Sequence, residues 1–239
     1  MTLWSKAVAV AAVGGMAALA AANIRINEIR TDNPGGDINE YFELWGAPGA
    51  SLNGLTYIVI GDGAGGSGTI ENVTPLTGFS IPADGYFLAA EATLTVNPSQ
   101  IDLTLSASAL NFENDDNYTH MLVRGFSGAL NLDVDTNDDG ILDLTPWAEI
   151  IDVVAFIGEG ADQIYTSTTV GPDPIKGSPW HLWRLPNGLG SWNFDSFDNG
   201  TPTAQTDLVN YATDTPGVAN PEPASLALFG IAVLMLRRR

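Results

Sequence analysis

Residues Arg25–Ile60 run "RINEIRTDNPGGDINEYFELWGAPGASLNGLTYIVI". Three apolar pieces stand out. "IRINEIR" (Ile24–Arg30) places Ile24 and Ile26 two apart, the spacing of a half-buried strand. "YFELW" (Tyr41–Trp45) and "LTYIVI" (Leu55–Ile60) are rich in aromatic and β-branched side chains, which fit a pleated surface. Gly, Pro, Asn and Asp fill the gaps, so the chain turns between short strands.

The pattern continues outward. "GYFLAA" (Gly85–Ala90), "HMLVRGF" (His120–Phe126), "EIIDVVAFI" (Glu149–Ile157) and "HLWRL" (His181–Leu185) complete the stronger strands. Outside the two ends no window has helical periodicity, and no fixed-period repeat is present. The expected fold is all-β, a two-sheet sandwich over residues 23–200. Residues 201–220 are polar and contain proline, a final strand fading into a linker.

The order of these pieces resembles a lamin-tail-like domain. The Ile-Asn-Glu-Ile opening (Ile26–Ile29), "YFELW", the "LNGL" turn, "PADGYFLAA", "IIDVVAF", "LWRLPNG" and the closing "TPGVAN" follow that family's sequence. The resemblance implies an immunoglobulin-like β-sandwich. In bacteria such domains accompany surface proteins and secreted hydrolases.

The ends differ from the body. Residues 1–22 place Lys6 before an Ala/Val/Gly run with small residues at Ala18, Ala20 and Ala22, the order of a signal helix cut near Ala22–Asn23. At the other end Ala224–Leu236 is an apolar run followed by Arg237, Arg238 and Arg239. It is shorter than the roughly 20 residues of a full bilayer crossing, and the arginines suit a cytoplasmic end. The expected element is a short hydrophobic C-terminal helix serving as a membrane anchor. With Pro221, Glu222 and Pro223 before it, segment 221–239 resembles the PEP-CTERM sorting signal of Gram-negative bacteria. That resemblance implies cleavage by an exosortase-type membrane protease and delivery to the cell surface or extracellular matrix, often rich in polysaccharide.

The formal charge is −19, and setting both ends aside makes the remainder more acidic still. Such a surface repels phosphate backbones and points away from nucleic acid. With no cysteine, disulfides and thiolate chemistry drop out.

One motif suggests a cation. Within 131–146, Asp135, Asn137, Asp139 and Asp143 alternate around Gly140, the first nine positions of an EF-hand-type calcium loop. Alternate side chains on a tight loop aim oxygens at one centre, and the Ile141 carbonyl supplies another. Leu142 anchors the loop, Asp133 and Asp138 add field, and Glu149 or the run Glu113–Asp116 could lend an acid. Pro146 stands where the loop's bidentate glutamate belongs. Ca²⁺ here would be structural; an Asx turn without metal is the alternative.

Other signals are weaker. "GDGAGG" (Gly61–Gly66) matches a dinucleotide fingerprint, but no helix follows, so it reads as an inter-strand turn. His120 and His181 read as structural, with zinc between carboxylates the alternative. Trp180, Trp183 and Trp192 read as core, with a sugar-stacking surface the alternative. These features favour a non-enzymatic structural or adhesive protein of the matrix. A secreted hydrolase of polysaccharide or phosphoester is the rival.

Overall fold

The computed structural model describes residues 24–32, 39–63, 65–113, 116–158, 160–174, 177–196 and 214–219. The signal segment 1–22, residues 201–213 of the linker and the sorting segment 221–239 lie outside the described residues, as do both terminal helices expected there. No helix among the described residues is long and apolar enough to cross a membrane.

The described residues form β1 (Arg25–Arg30), β2 (Tyr41–Trp45), β3 (Leu55–Gly61), β4 (Thr69–Pro75), β5 (Tyr86–Glu91), β6 (Ile101–Leu105), β7 (Tyr118–Arg124), β8 (Glu149–Phe156), β9 (Thr169–Val170), β10 (His181–Leu185) and β11 (Ser191–Asp195). A single 3₁₀ turn, Pro98–Gln100, interrupts them. The first sheet has the order β11-β10-β1-β2-β5-β6, the second β4-β3-β7-β8-β9. Most pairs are antiparallel; β5–β6 and β8–β9 are parallel, so both sheets are mixed.

The sheets pack face to face. Ile26, Ile29, Phe42, Leu44 and Phe87 of the first meet Leu55, Tyr57, Val59, Leu122, Val154 and Phe156 of the second in one buried cluster. The rings of Phe42 and Tyr57 stack across it, 3.7 Å apart and 4° from parallel.

The sequence predicts half-buried strands; the inner ones are buried on both faces. The outer face of the second sheet (Ile58, Ile60, Met121, Val123) is covered by Val134, Leu132, Leu142 and Trp147. These come from the long β7–β8 connection, which folds back and bonds to the β4 edge: Ile70 N donates to the Leu132 carbonyl, and Val134 N to that of Gly68. The outer face of the first sheet is buried differently, in part by polar side chains. A bulge between Ile26 and Glu28 makes this fit. It lets Ile26 and Ile29, three apart, both enter the core while Asn27 and Glu28 both face outward.

Removing the cross-sheet stack tests the packing. Phe42→Ala is expected to lower stability by about 3–5 kcal/mol, the usual cost of deleting a buried aromatic ring, read as a shifted urea midpoint with unchanged slope.

Candidate metal centres

The aspartate loop is well ordered by its own hydrogen bonds. Asp135 is fully buried. Its carboxylate accepts from the Asp139 and Gly140 amides, at 3.2 and 2.9 Å, and from the Tyr165 hydroxyl at 2.9 Å. Burial, then Asp135 beside it, pushes the Tyr165 hydroxyl pKa up. Asn137 and Asp139 are exposed and bond to each other at 3.1 Å. Asp139 also accepts from the Ile141 amide. Asp143 accepts from the Thr136 amide and hydroxyl at 2.9 and 2.5 Å. The Ile141 side chain is exposed, whereas Leu142 packs on the apolar cluster under the loop. Glu149 pairs with Arg124 on the surface.

The glycine-rich stretch explains where this loop rests. It joins β3 to β4, and a strand rather than a helix follows it. Gly68 has φ +96°, and a Cβ there would lie 2.6 Å from the Asp135 Cβ. A Cβ on Gly66 would meet the Asp138 carboxylate at 2.6 Å, and one on Gly65 would press Asp133 at 3.2 Å. Gly65, Gly66 and Gly68 lack side chains where the aspartate loop lies against them.

Acidic groups converge elsewhere. Ligand oxygens of Asp62, Glu71 and Glu113 lie within 4.8 Å of one another, as do those of Asp62, Asp116 and Asp162. Asp62 belongs to both sets, so the two are one cluster around the β3–β4 turn. Glu113 and Asp116 therefore join Asp62. Ser67 ties the cluster to the turn, donating to Asp162 at 3.0 Å. Burial, then Glu113 and Asp62, pushes the Glu71 carboxyl up to about 7. Burial, then a shared hydrogen bond with Asp162, pushes Asp116 up to about 6. Half-buried carboxylates that repel one another offer oxygen ligands of the kind a hard divalent cation takes. Spacing along the chain does not reveal this set, because its members come from four separate stretches.

A third convergence, Glu28, His181 and Asp214, is fully buried on the outer face of the first sheet. It does not suit a metal. The Arg30 guanidinium already ion-pairs with Asp214. His181 Nε2 lies 2.9 Å from Glu28 Oε1, and the Tyr41 hydroxyl lies 2.5 Å from that same oxygen. The protein's own donors already bond these ligand atoms.

The remaining residues are structural in their surroundings. His120 is buried among Tyr57, Phe112, Tyr118 and Phe156, with Nδ1 2.6 Å from the Tyr57 hydroxyl. Burial lowers its pKa to about 3. Trp183 is buried and stacks on His181 at 5.0 Å. Trp192 is partly buried against the core, with Arg184 4.3 Å over its ring.

Gly68→Ala strains a left-handed position and drives a methyl into Asp135, so thermal unfolding should show a loss above about 1 kcal/mol. Glu71, raised in the folded state, binds more protons there than when unfolded, so its contribution falls as pH rises from about 4.5 to about 7. In chelator-treated protein Glu71→Gln should melt above the parent at pH 8 and level with it near pH 4.

Comparison with family models, with curated proteins and with solved structures returns no match to this chain.

Proposed function

We propose that this chain is an exported, surface-sorted structural or adhesive protein. Its body is an immunoglobulin-like sandwich of the lamin-tail-like type, braced by calcium. The observation that carries this reading is the order of its last segments. A two-sheet body closes at Ala219, Pro221-Glu222-Pro223 follows, then the apolar span and Arg237–Arg239. An exosortase-type membrane protease is the first partner this order implies, with matrix polysaccharide or matrix proteins beyond it. Support for the sandwich type comes from β1 and β2 pairing in one sheet while β3 crosses to the other.

The calcium component draws on two neighbouring places. The loop Asp135, Asn137, Asp139, Ile141 and Asp143 supplies the spacing, and its first carboxylate holds the amides of the fifth and sixth positions. The cluster around Asp62 supplies convergent oxygens. Either would brace the β3–β4 turn against its neighbours.

The hydrolase reading draws on Glu71, a carboxyl that holds a proton near neutral pH beside other acids. It also lines a cleft of about 270 Å³ with Asn72, Thr74, Leu103 and Leu105, between the edges β4 and β6. That volume is below the roughly 300–1,000 Å³ usual for ligand sites.

Adding about 10 mM Ca²⁺ after EDTA should stabilise the protein by about 1.4–2.7 kcal/mol for extracellular-type affinities, a rise of several degrees in Tm. Asp139→Ala abolishes the rise if the loop binds, Asp62→Ala if the cluster does; no rise with the parent protein overturns the calcium reading. Replacing Pro221, Glu222 and Pro223 by alanine should keep the chain in the membrane fraction of an exosortase-bearing host. Equal release of both forms overturns the sorting reading. Hydrolysis of a polysaccharide or phosphoester that Glu71→Gln abolishes would favour the rival.

A further inference from the structure

Residues Asp214–Ala219 lie far in sequence from the strands they cover, and they reach them through side chains rather than a strand ladder. Asp214 is fully buried. One of its carboxylate oxygens pairs with Arg30, and the other accepts from the Tyr41 hydroxyl at 2.6 Å. The Thr215 amide donates to Glu28 at 2.9 Å and its hydroxyl to the other Glu28 oxygen at 3.1 Å. The Gly217 amide donates to Glu43 at 2.6 Å. Between them Val218 N closes a turn onto the Thr215 carbonyl. Gly217 has φ +76°, and a Cβ there would lie 2.3 Å from the Gln100 Cβ, so only glycine fits the seat.

We infer that Asp214–Ala219 is a detachable latch. It closes the outer face of the first sheet through Arg30, Tyr41, Glu28 and Glu43, and it opens more readily than the sandwich beneath it. Two features give the latch its character. The segment forms no cross-strand ladder, and although Asp214–Gly217 are buried, Val218 and Ala219 at its end are exposed, so little backbone pairing must break for it to open locally. Yet it satisfies charges that are costly to leave buried and unpaired, so closure is strongly favoured once the sheet has formed. Docking needs β1 and β2 already paired, because Glu28 and Glu43 are opposite one another in that register.

The position in the chain gives the latch a use. Pro221 is two residues beyond Ala219. The latch is the last described stretch before the sorting tripeptide in the chain, so its state sets how near that tripeptide begins to a closed fold. This use rests on the sorting reading above; the latch itself does not.

Amide hydrogen exchange on the full chain in detergent micelles tests it. The Thr215 and Gly217 amides should be protected, yet exchange at least about tenfold faster than Phe42 and Leu44 in β2. Asp214→Asn should speed the latch amides at least about tenfold more and leave β2 unchanged. Thr215→Ala, which keeps the ion pair, should act in the same direction more weakly, and it serves if Asp214→Asn does not fold. Unprotected latch amides in the parent, or latch and β2 amides exchanging at one common rate, would overturn the latch. Tail release in the host separates the two readings: protected amides without release sink only the sorting, and release with unprotected amides sinks only the latch.

Discussion

Two glutamates face each other across the β1–β2 ladder, Glu28 opposite Glu43, and both are buried. Like charges directly opposite on a sheet are unfavourable, and buried carboxylates are more so unless donors surround them. Burial, then Glu28, raises the Glu43 carboxyl well above its ordinary value. The surrounding structure supplies the donors. Asn27 reaches Glu43 at 2.6 Å, and its own side-chain oxygen accepts the Gly188 amide. His181 and Thr215 converge on Glu28, and the Tyr41 hydroxyl shares its one proton between Glu28 and Asp214. The β1 bulge, the turn after β10 and the seat of Asp214–Ala219 all answer to this one requirement.

That requirement also gives a physical meaning to the letters that resemble the lamin-tail-like pattern. In "INEIR" the isoleucines enter the core, while Asn27, Glu28 and Arg30 join the polar face. In "YFELW" Phe42 and Leu44 point inward, and Tyr41 and Glu43 outward. "TPGVAN" supplies Thr215 and Gly217, the donors that the two glutamates need. These stretches are distant in sequence and meet on one face.

What was legible in the sequence follows the same physics. The seven stronger expected strands correspond to β1, β2, β3, β5, β7, β8 and β10, the interior strands of the two sheets, whereas the final strand expected in 201–220 has no counterpart in the described residues 214–219. β4, β6, β9 and β11 carry no comparable apolar run, and each is a sheet edge. Edge strands carry polar residues or stay short, so apolar runs do not mark them: "IDLTL" alternates half-buried and exposed side chains, and β9 has two residues. The period-two reading of β1 missed burial on its outer side, since polar letters in a strand ordinarily mean water. The aspartate loop was legible because its members are contiguous. The cluster around Asp62 was not, because only the sheet brings residues 62, 71, 113, 116 and 162 together.

The acids of this protein therefore divide into two kinds. Glu28, Glu43 and Asp214 lie deep and meet donors the chain itself provides, so a metal would add nothing they lack. Asp62, Glu71, Asp116 and Asp162 sit half-buried, and burial, then the neighbouring acids, raises Glu71 and Asp116 toward neutral pH. A proton or a cation relieves such crowding, and the two compete for the same oxygens. Loss of the Glu71 proton near pH 7 adds one further negative charge to the cluster. The glycine-rich turn stands between this cluster and the aspartate loop. The turn therefore packs against acidic groups on both of its sides, at the β3–β4 edge of the second sheet.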